Sequence, residues 1–165
     1  VSTTTDLTGD HLHDLAAAVD AFVASYRAVA PDDAVSDAWT ASDVLRHVAH
    51  WHDDYALNLE AELAGSSHVV PNVPYYRLNQ AGVESLRSHP DGEVLEMLAN
   101  AQARLAASIG TGRIHHVTYR AGSPPYTLDK FLQVVVSHIQ GHAKVLRRIA
   151  ARNARSHPGG AAGVR

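Results

Sequence analysis

The sequence predicts an all-α protein, a four-helix bundle with a long crossover and a short extra helix. Three observations carry that expectation. Apolar residues recur at spacings of three and four over four long stretches, glycines and prolines fall between those stretches, and one connection is long enough for two successive helices to run the same way. At 165 residues the chain is the size of one domain. We therefore expect a single domain over residues 1–155, followed by a flexible tail over 156–165.

The first helix is expected from about residue 9 to 29. Leu12, Leu15, Val19, Phe22, Val23 and Tyr26 form its buried stripe, and Pro31 stops it. Thr40-Ala41-Ser42-Asp43 reads as a capping box that opens the second helix. That helix carries Val44, Leu45, Val48, Trp51, Tyr55, Leu59 and Leu63 on its apolar stripe and ends at Gly65, a residue tolerant of the left-handed turn just past a helix. Ser66 to Pro74 has two prolines, two serines and no periodicity, and is the crossover loop.

Leu78, Val83 and Leu86 mark the short extra helix between Tyr75 and Ser88, with Asp91 as the expected N-cap of the helix that follows. Val94, Leu95, Leu98, Ala101, Leu105 and Ile109 form the stripe of that third long helix, which Gly110 and Gly112 end. Arg113 to Pro125 is expected to be loop rather than strand. The last helix is expected from near Thr127 to about Ala154, with Leu128, Phe131, Leu132, Val135, Ile139, Val145, Leu146 and Ile149 inward.

Composition narrows the function classes. The chain has no cysteine, which excludes disulfides, thiolate ligands, iron–sulfur clusters and a cysteine nucleophile. Any metal must rest on histidine and carboxylate. The formal net charge is −3, and the one basic concentration, Arg147, Arg148, Arg152 and Arg155, sits where cations suit the negative end of a helix dipole. No nucleic-acid partner is expected. Neither a membrane span nor a basic region followed by an apolar run is visible, so the expected location is cytoplasmic, without a membrane partner.

Twelve histidines are the unusual feature. His138 and His142 are four residues apart, which on a helix stacks them on one face, inside the arc of the apolar stripe. Buried imidazoles are costly unless each nitrogen has a partner. Spacing alone leaves a shared metal ion and hydrogen-bonded core histidines equally open. Gly141 between them points either to something approaching the backbone or to a tight helix crossing.

A third ligand must come from another helix, and the second offers three. His50 projects nearly opposite the stripe and is expected in solvent; His47 lies on the stripe's edge, in line with Asp54 and Asn58; His52 falls nearer its middle. The helical wheel does not choose between His47 and His52. His11, His13, His68, His89 and His157 are expected to be ordinary surface residues.

The segment from Trp39 through Asp43 and His47 to Trp51 resembles the second-helix motif of the DinB/YfiT-like family, and Thr127 to Arg147 is similar to that family's last-helix motif. Arg77-Leu78-Asn79 and the helix from Leu95 to Ile109 are similar to its actinobacterial, maleylpyruvate-isomerase-like branch. The resemblance spans about residues 9–150. It implies a four-helix bundle in which His47, His138 and His142 hold a divalent metal, commonly zinc or nickel, with open coordination positions.

Three protein ligands and an open position are also what a catalytic metal site requires. There is no His-Glu-x-x-His, so peptide hydrolysis is not expected. Asp54, two turns past His47, is a candidate catalytic base or a group that orients a ligand, the alternative being a solvated surface carboxylate. Tyr76, Arg113, His116, Tyr119 and Arg120, with Tyr75 and His115 beside them, are candidate substrate contacts if their loops cover the open end of the bundle. Such a set would hold an anionic or thiol-bearing small molecule; the alternative is a merely polar loop.

The resemblance implies thiol S-transfer or isomerisation with mycothiol as cosubstrate. A metal-dependent hydrolase or self-protection protein that opens a reactive natural product is the second expectation, and a metal-holding binding module, a homodimer through an exposed helix face, the third.

Overall fold

The computed structural model describes residues 4–156, and the histidine at 157 and the expected tail beyond it lie outside the described residues. Four long helices, α1 (Thr4–Arg27), α2 (Ala41–Leu63), α4 (Asp91–Gly110) and α5 (Leu128–Ser156), form the bundle, with the shorter α3 (Tyr75–Ser85) beside α2. The all-α class is as predicted. Along the bundle α2 packs chiefly on α4 and α1 on α5, and the two pairs close around one core. Phe22, Leu45, Leu59, Leu98, Leu105, Leu132 and Ile139 are almost fully buried there. Removing such areas from water is the main force holding the helices together.

The capping box forms as expected. Thr40 Oγ1 accepts from the Asp43 amide at 3.3 Å, while the Thr40 amide donates to Asp43 Oδ2 at 3.0 Å. Gly65 adopts φ of 68°, the left-handed conformation that ends α2. The crossover from Ser66 to Pro74 is unwound apart from a bridge at Val70, whose amide donates to the Tyr119 carbonyl at 2.9 Å and whose carbonyl accepts from Ala121 at 2.8 Å.

Several expectations need correction. Pro90, not Asp91, occupies the N-cap of α4, with φ of −58°. The Asp91 carboxylate turns instead to the Tyr26 and Ser42 hydroxyls and to Arg46 Nη2 at 3.0 Å, tying α1, α2 and α4 together. Between Arg113 and Pro125 the loop contains one short strand, β1 (His116–Val117), paired antiparallel with β2 (Tyr126–Thr127). Burial of Ile114 and Val117 holds it against the bundle.

His50 is not in solvent. α3 covers that face of α2, and a Cβ on Gly82 would stand 2.3 Å from His50 Cδ2, so only glycine lets the two helices meet there. Gly141 is exposed, with nothing within 4 Å of where a Cβ would sit, so no tight crossing accounts for it. Among the histidines expected at the surface, His13 is exposed, but His11 meets Asp129 at 3.3 Å across α1 and α5, and His68 meets Asp54 at 2.7 Å. His89 is half-buried.

Candidate metal centre

Three imidazoles from two helices converge on one point. The capping box sets where α2 begins, and His47 follows Asp43 by one turn, facing α5. On α5, His138 and His142 stand on one face. His47 Nε2 is 2.9 Å from His138 Nε2, and His142 Nε2 is 3.1 Å from His138 Nε2. One ligand nitrogen from each of the three lies within 4.8 Å of the others, and among the described residues this is the histidine or carboxylate cluster arranged to hold an ion.

The donor set fits a metal better than a hydrogen-bonded trio. His138 Nε2 faces two other Nε2 atoms, yet a neutral imidazole nitrogen offers either one proton or one lone pair. Hydrogen bonding therefore satisfies at most one of the two contacts well, whereas a shared cation takes a lone pair from all three. Ligands at about 2.0–2.1 Å from one tetrahedral zinc ion stand roughly 3.3 Å apart, a few tenths of an ångström more than the His47–His138 and His138–His142 separations.

Burial keeps these rings neutral and so keeps the lone pairs available. It is the main cause that lowers His47 to about 2 and His138 to about 4, with the neighbouring imidazoles adding to the effect, and it also lowers His142. The buried Nδ1 atoms of His47 and His138 meet no partner among the described residues. Their rings are oriented by packing instead, Trp39 lying 4.9 Å from His47 between ring centroids.

The imidazoles form one wall of a cavity of about 370 Å³. Trp39, Trp51, Tyr55, Tyr75 and Tyr119 supply most of the rest, with Asn79 and Val134. Trp51 donates from Nε1 to Asn79 Oδ1 at 2.9 Å, which fixes the indole against α3. Burial pushes the Tyr55 and Tyr119 phenols up from their usual range.

Of the candidate substrate contacts, Tyr119 lines this cavity. Arg120 lies behind it, its guanidinium 4.6 Å from the Tyr75 ring centroid and donating to the Val73 carbonyl at 2.9 Å. Tyr76, Arg113 and His116 are exposed and are not among the lining residues. Asp54 is also outside the lining; its Oδ1 binds His68 Nε2, and next along α2 the Asn58 amide donates to the carbonyls of His68 and Thr118. These two side chains anchor the crossover and the loop that carries Tyr119.

Trp51, Tyr55, Asn79 and Val134 were not singled out as site residues by the sequence reading. A signal was present: Trp51 and Tyr55 follow His47 at intervals of four, and Val134 precedes His138 by four. On a helix each such series forms one line, so the neighbours of a ligand histidine share its cavity.

A family model described as the mycothiol maleylpyruvate isomerase N-terminal domain matches residues 12–132. The chain belongs to this family. It is a DinB-like superfamily domain, as the resemblance implied. The matched segment includes His47 and stops within α5 before His138 and His142, so the inclusion of these two in a candidate metal centre rests on geometry rather than on the match. No curated protein and no solved structure matches the chain.

Proposed function

We propose that this protein is a divalent-metal-dependent enzyme that transfers or isomerises a small molecule with a thiol cosubstrate, mycothiol being the cosubstrate named by its family. The observation that carries this reading is the convergence of three neutral Nε2 atoms at the wall of an open aromatic cavity. His47, His138 and His142 would hold the ion. A bound zinc or nickel ion supplies a Lewis acid that lowers the pKa of a thiol, so that a nucleophile exists at neutral pH.

The chain's own residues do the rest. Trp39 packs against His47 and keeps the ligand ring in place. Trp51, Tyr55 and Tyr119 shield the reacting groups from water and present flat surfaces to a substrate. Among the described residues no carboxylate lines the cavity, and Asp54 is held by His68, so a base to activate water is missing from the lining. The preference for a thiol over water as nucleophile rests on the family match, and Asp54 enters the proposal as a positioning residue rather than a catalytic one.

Elemental analysis of the purified protein and consumption of mycothiol in the presence of an electrophile test the proposal together. The expected result is about one ion per chain and thiol loss that stops when the ion is removed. Turnover of the electrophile without thiol would instead support a metal-dependent hydrolase, and metal binding without either reaction a binding module.

A further inference from the structure

The short helix α3 rests chiefly on α2, yet it supplies two of the residues that line the cavity. Tyr75 and Asn79 are four residues apart, so they stand on one face of α3, the face turned to the cavity. Both are held by groups outside α3. Trp51 Nε1 donates to Asn79 Oδ1 at 2.9 Å, while the Tyr75 ring meets the Trp51 ring at 6.1 Å between centroids and the Arg120 guanidinium at 4.6 Å.

The indole contact fixes which way the Asn79 amide faces. An indole nitrogen can only donate, so the amide oxygen must meet it and both protons of Nδ2 are left over. Neither Nδ2 nor the Tyr75 hydroxyl is hydrogen-bonded to another of the described residues, and neither side chain is fully buried. By contrast the Tyr55 and Tyr119 hydroxyls, on more deeply buried side chains, lie close enough to bond with each other.

From this we infer that Tyr75 and Asn79 are the specificity-determining pair of the cavity, the Tyr75 hydroxyl and the Asn79 amide donating to the oxygen of a carbonyl or carboxylate group on the small-molecule substrate. The inference rests on the reading above in placing that substrate in this cavity.

Such donors sort ligands by the group presented to them. A carbonyl or carboxylate brings lone pairs to both. A group that only donates, such as an ammonium, leaves the amide protons unpaired, and an apolar group strips them of water without replacing it. The pair carries no charge of its own, so it accepts a neutral ketone or an anionic carboxylate. Trp51 has a positioning role beside it, because its N–H keeps the amide turned with donors outward.

Titration of the protein, as purified and after chelation of metal, with acetophenone, benzoate and ethylbenzene tests the inference by nitrogen-15 NMR and calorimetry. The three share a benzene ring, and they offer a carbonyl, a carboxylate and no acceptor. The side-chain amide protons of Asn79, assigned by their absence in Asn79→Asp, are expected to move downfield with acetophenone or benzoate relative to ethylbenzene. In Asn79→Asp one carboxylate oxygen can still accept from Trp51 while the other turns lone pairs on the ligand. This variant should weaken acetophenone at least about fivefold and benzoate more, and change ethylbenzene by less than about twofold. Tyr75→Phe removes only a hydroxyl from a side chain already 45 % exposed, and should weaken the acceptors about twofold to fivefold with an unchanged circular dichroism spectrum. That variant adds no charge, so the larger of its losses, for acetophenone or for benzoate, names the group the pair is built for.

Equal losses of acetophenone and ethylbenzene in Asn79→Asp, or Asn79 side-chain signals that neither acceptor moves, overturn the inference. Metal content and thiol consumption are measured separately. A protein that binds acetophenone through Asn79 but consumes no thiol loses the function proposed above and keeps this pair, and one that consumes thiol while the Asn79 signals stay unmoved does the reverse.

Discussion

His47 and His52 stand five residues apart on α2, both are buried, and they lead to opposite sides of the bundle. His52 turns to α4, where its Nε2 meets Gln102 Oε1 at 2.7 Å, one ring nitrogen with one amide oxygen. His47 turns to α5, where its Nε2 meets only other imidazoles. Burial lowers the pKa of both. Neither burial nor a depressed pKa therefore separates a histidine placed to hold an ion from one that only packs in the core. What separates them is whether the ring faces a group that can complete a hydrogen bond or a set of lone pairs that need a cation.

The largest expected effect breaks the comparison most directly. His47→Ala should lose nearly all bound metal, measured by elemental analysis, and retain its helical circular dichroism, because α2 keeps its cap and its apolar stripe. His52→Ala should do the opposite: full metal occupancy and a stability loss of about 2–4 kcal/mol in urea, from the cavity left behind and the unpaired Gln102 amide. Metal loss on replacing His52 would erase the distinction.

Acid separates the two sides less strongly. The unfolded chain protonates its histidines near pH 6.5, whereas folded His47 and His138 stay neutral down to about 2 and about 4. Below about pH 6.5 the unfolded state thus binds more protons, and stability falls as pH falls. For the apoprotein these two groups together should cost roughly 1 kcal/mol between pH 7 and pH 6, read from urea midpoints. His47→Ala should show a shallower pH dependence, and an equal slope in that variant would contradict the assignment.

The smallest effect concerns the other end of the His47 line. His68→Ala removes the half-exposed partner of Asp54 and should cost under about 1 kcal/mol, with metal occupancy unchanged. Loss of metal or of thiol consumption in that variant would bring Asp54 into the reacting site and sharpen the boundary of the cavity.

The sequence was most informative where one interaction is local. Thr40 and Asp43 meet within one turn, so the start of α2 was legible, and His138 and His142 share a face by helical spacing alone. It was least informative where an element from elsewhere covers a surface. His50 looked solvated because nothing in α2 announces that Gly82 of α3 lies against it. Asp91 looked like a cap because its type suits one, but Tyr26, Ser42 and Arg46 offered its carboxylate partners from two other helices.

By itself, then, the sequence determined the helices, their apolar faces, the absence of thiol ligands and the histidine pair on α5, since all of these follow from residue type and a period of 3.6. Periodicity left His47 and His52 open and the family motif implied His47; the tertiary structure brings His47 to that pair, and only it decided that Trp51 and Tyr55 line a cavity as well as a core and that Arg113 and His116 point to solvent. Those outcomes depend on the angle and depth at which two helices meet, which is set by side chains far apart in the chain and has no periodicity to read.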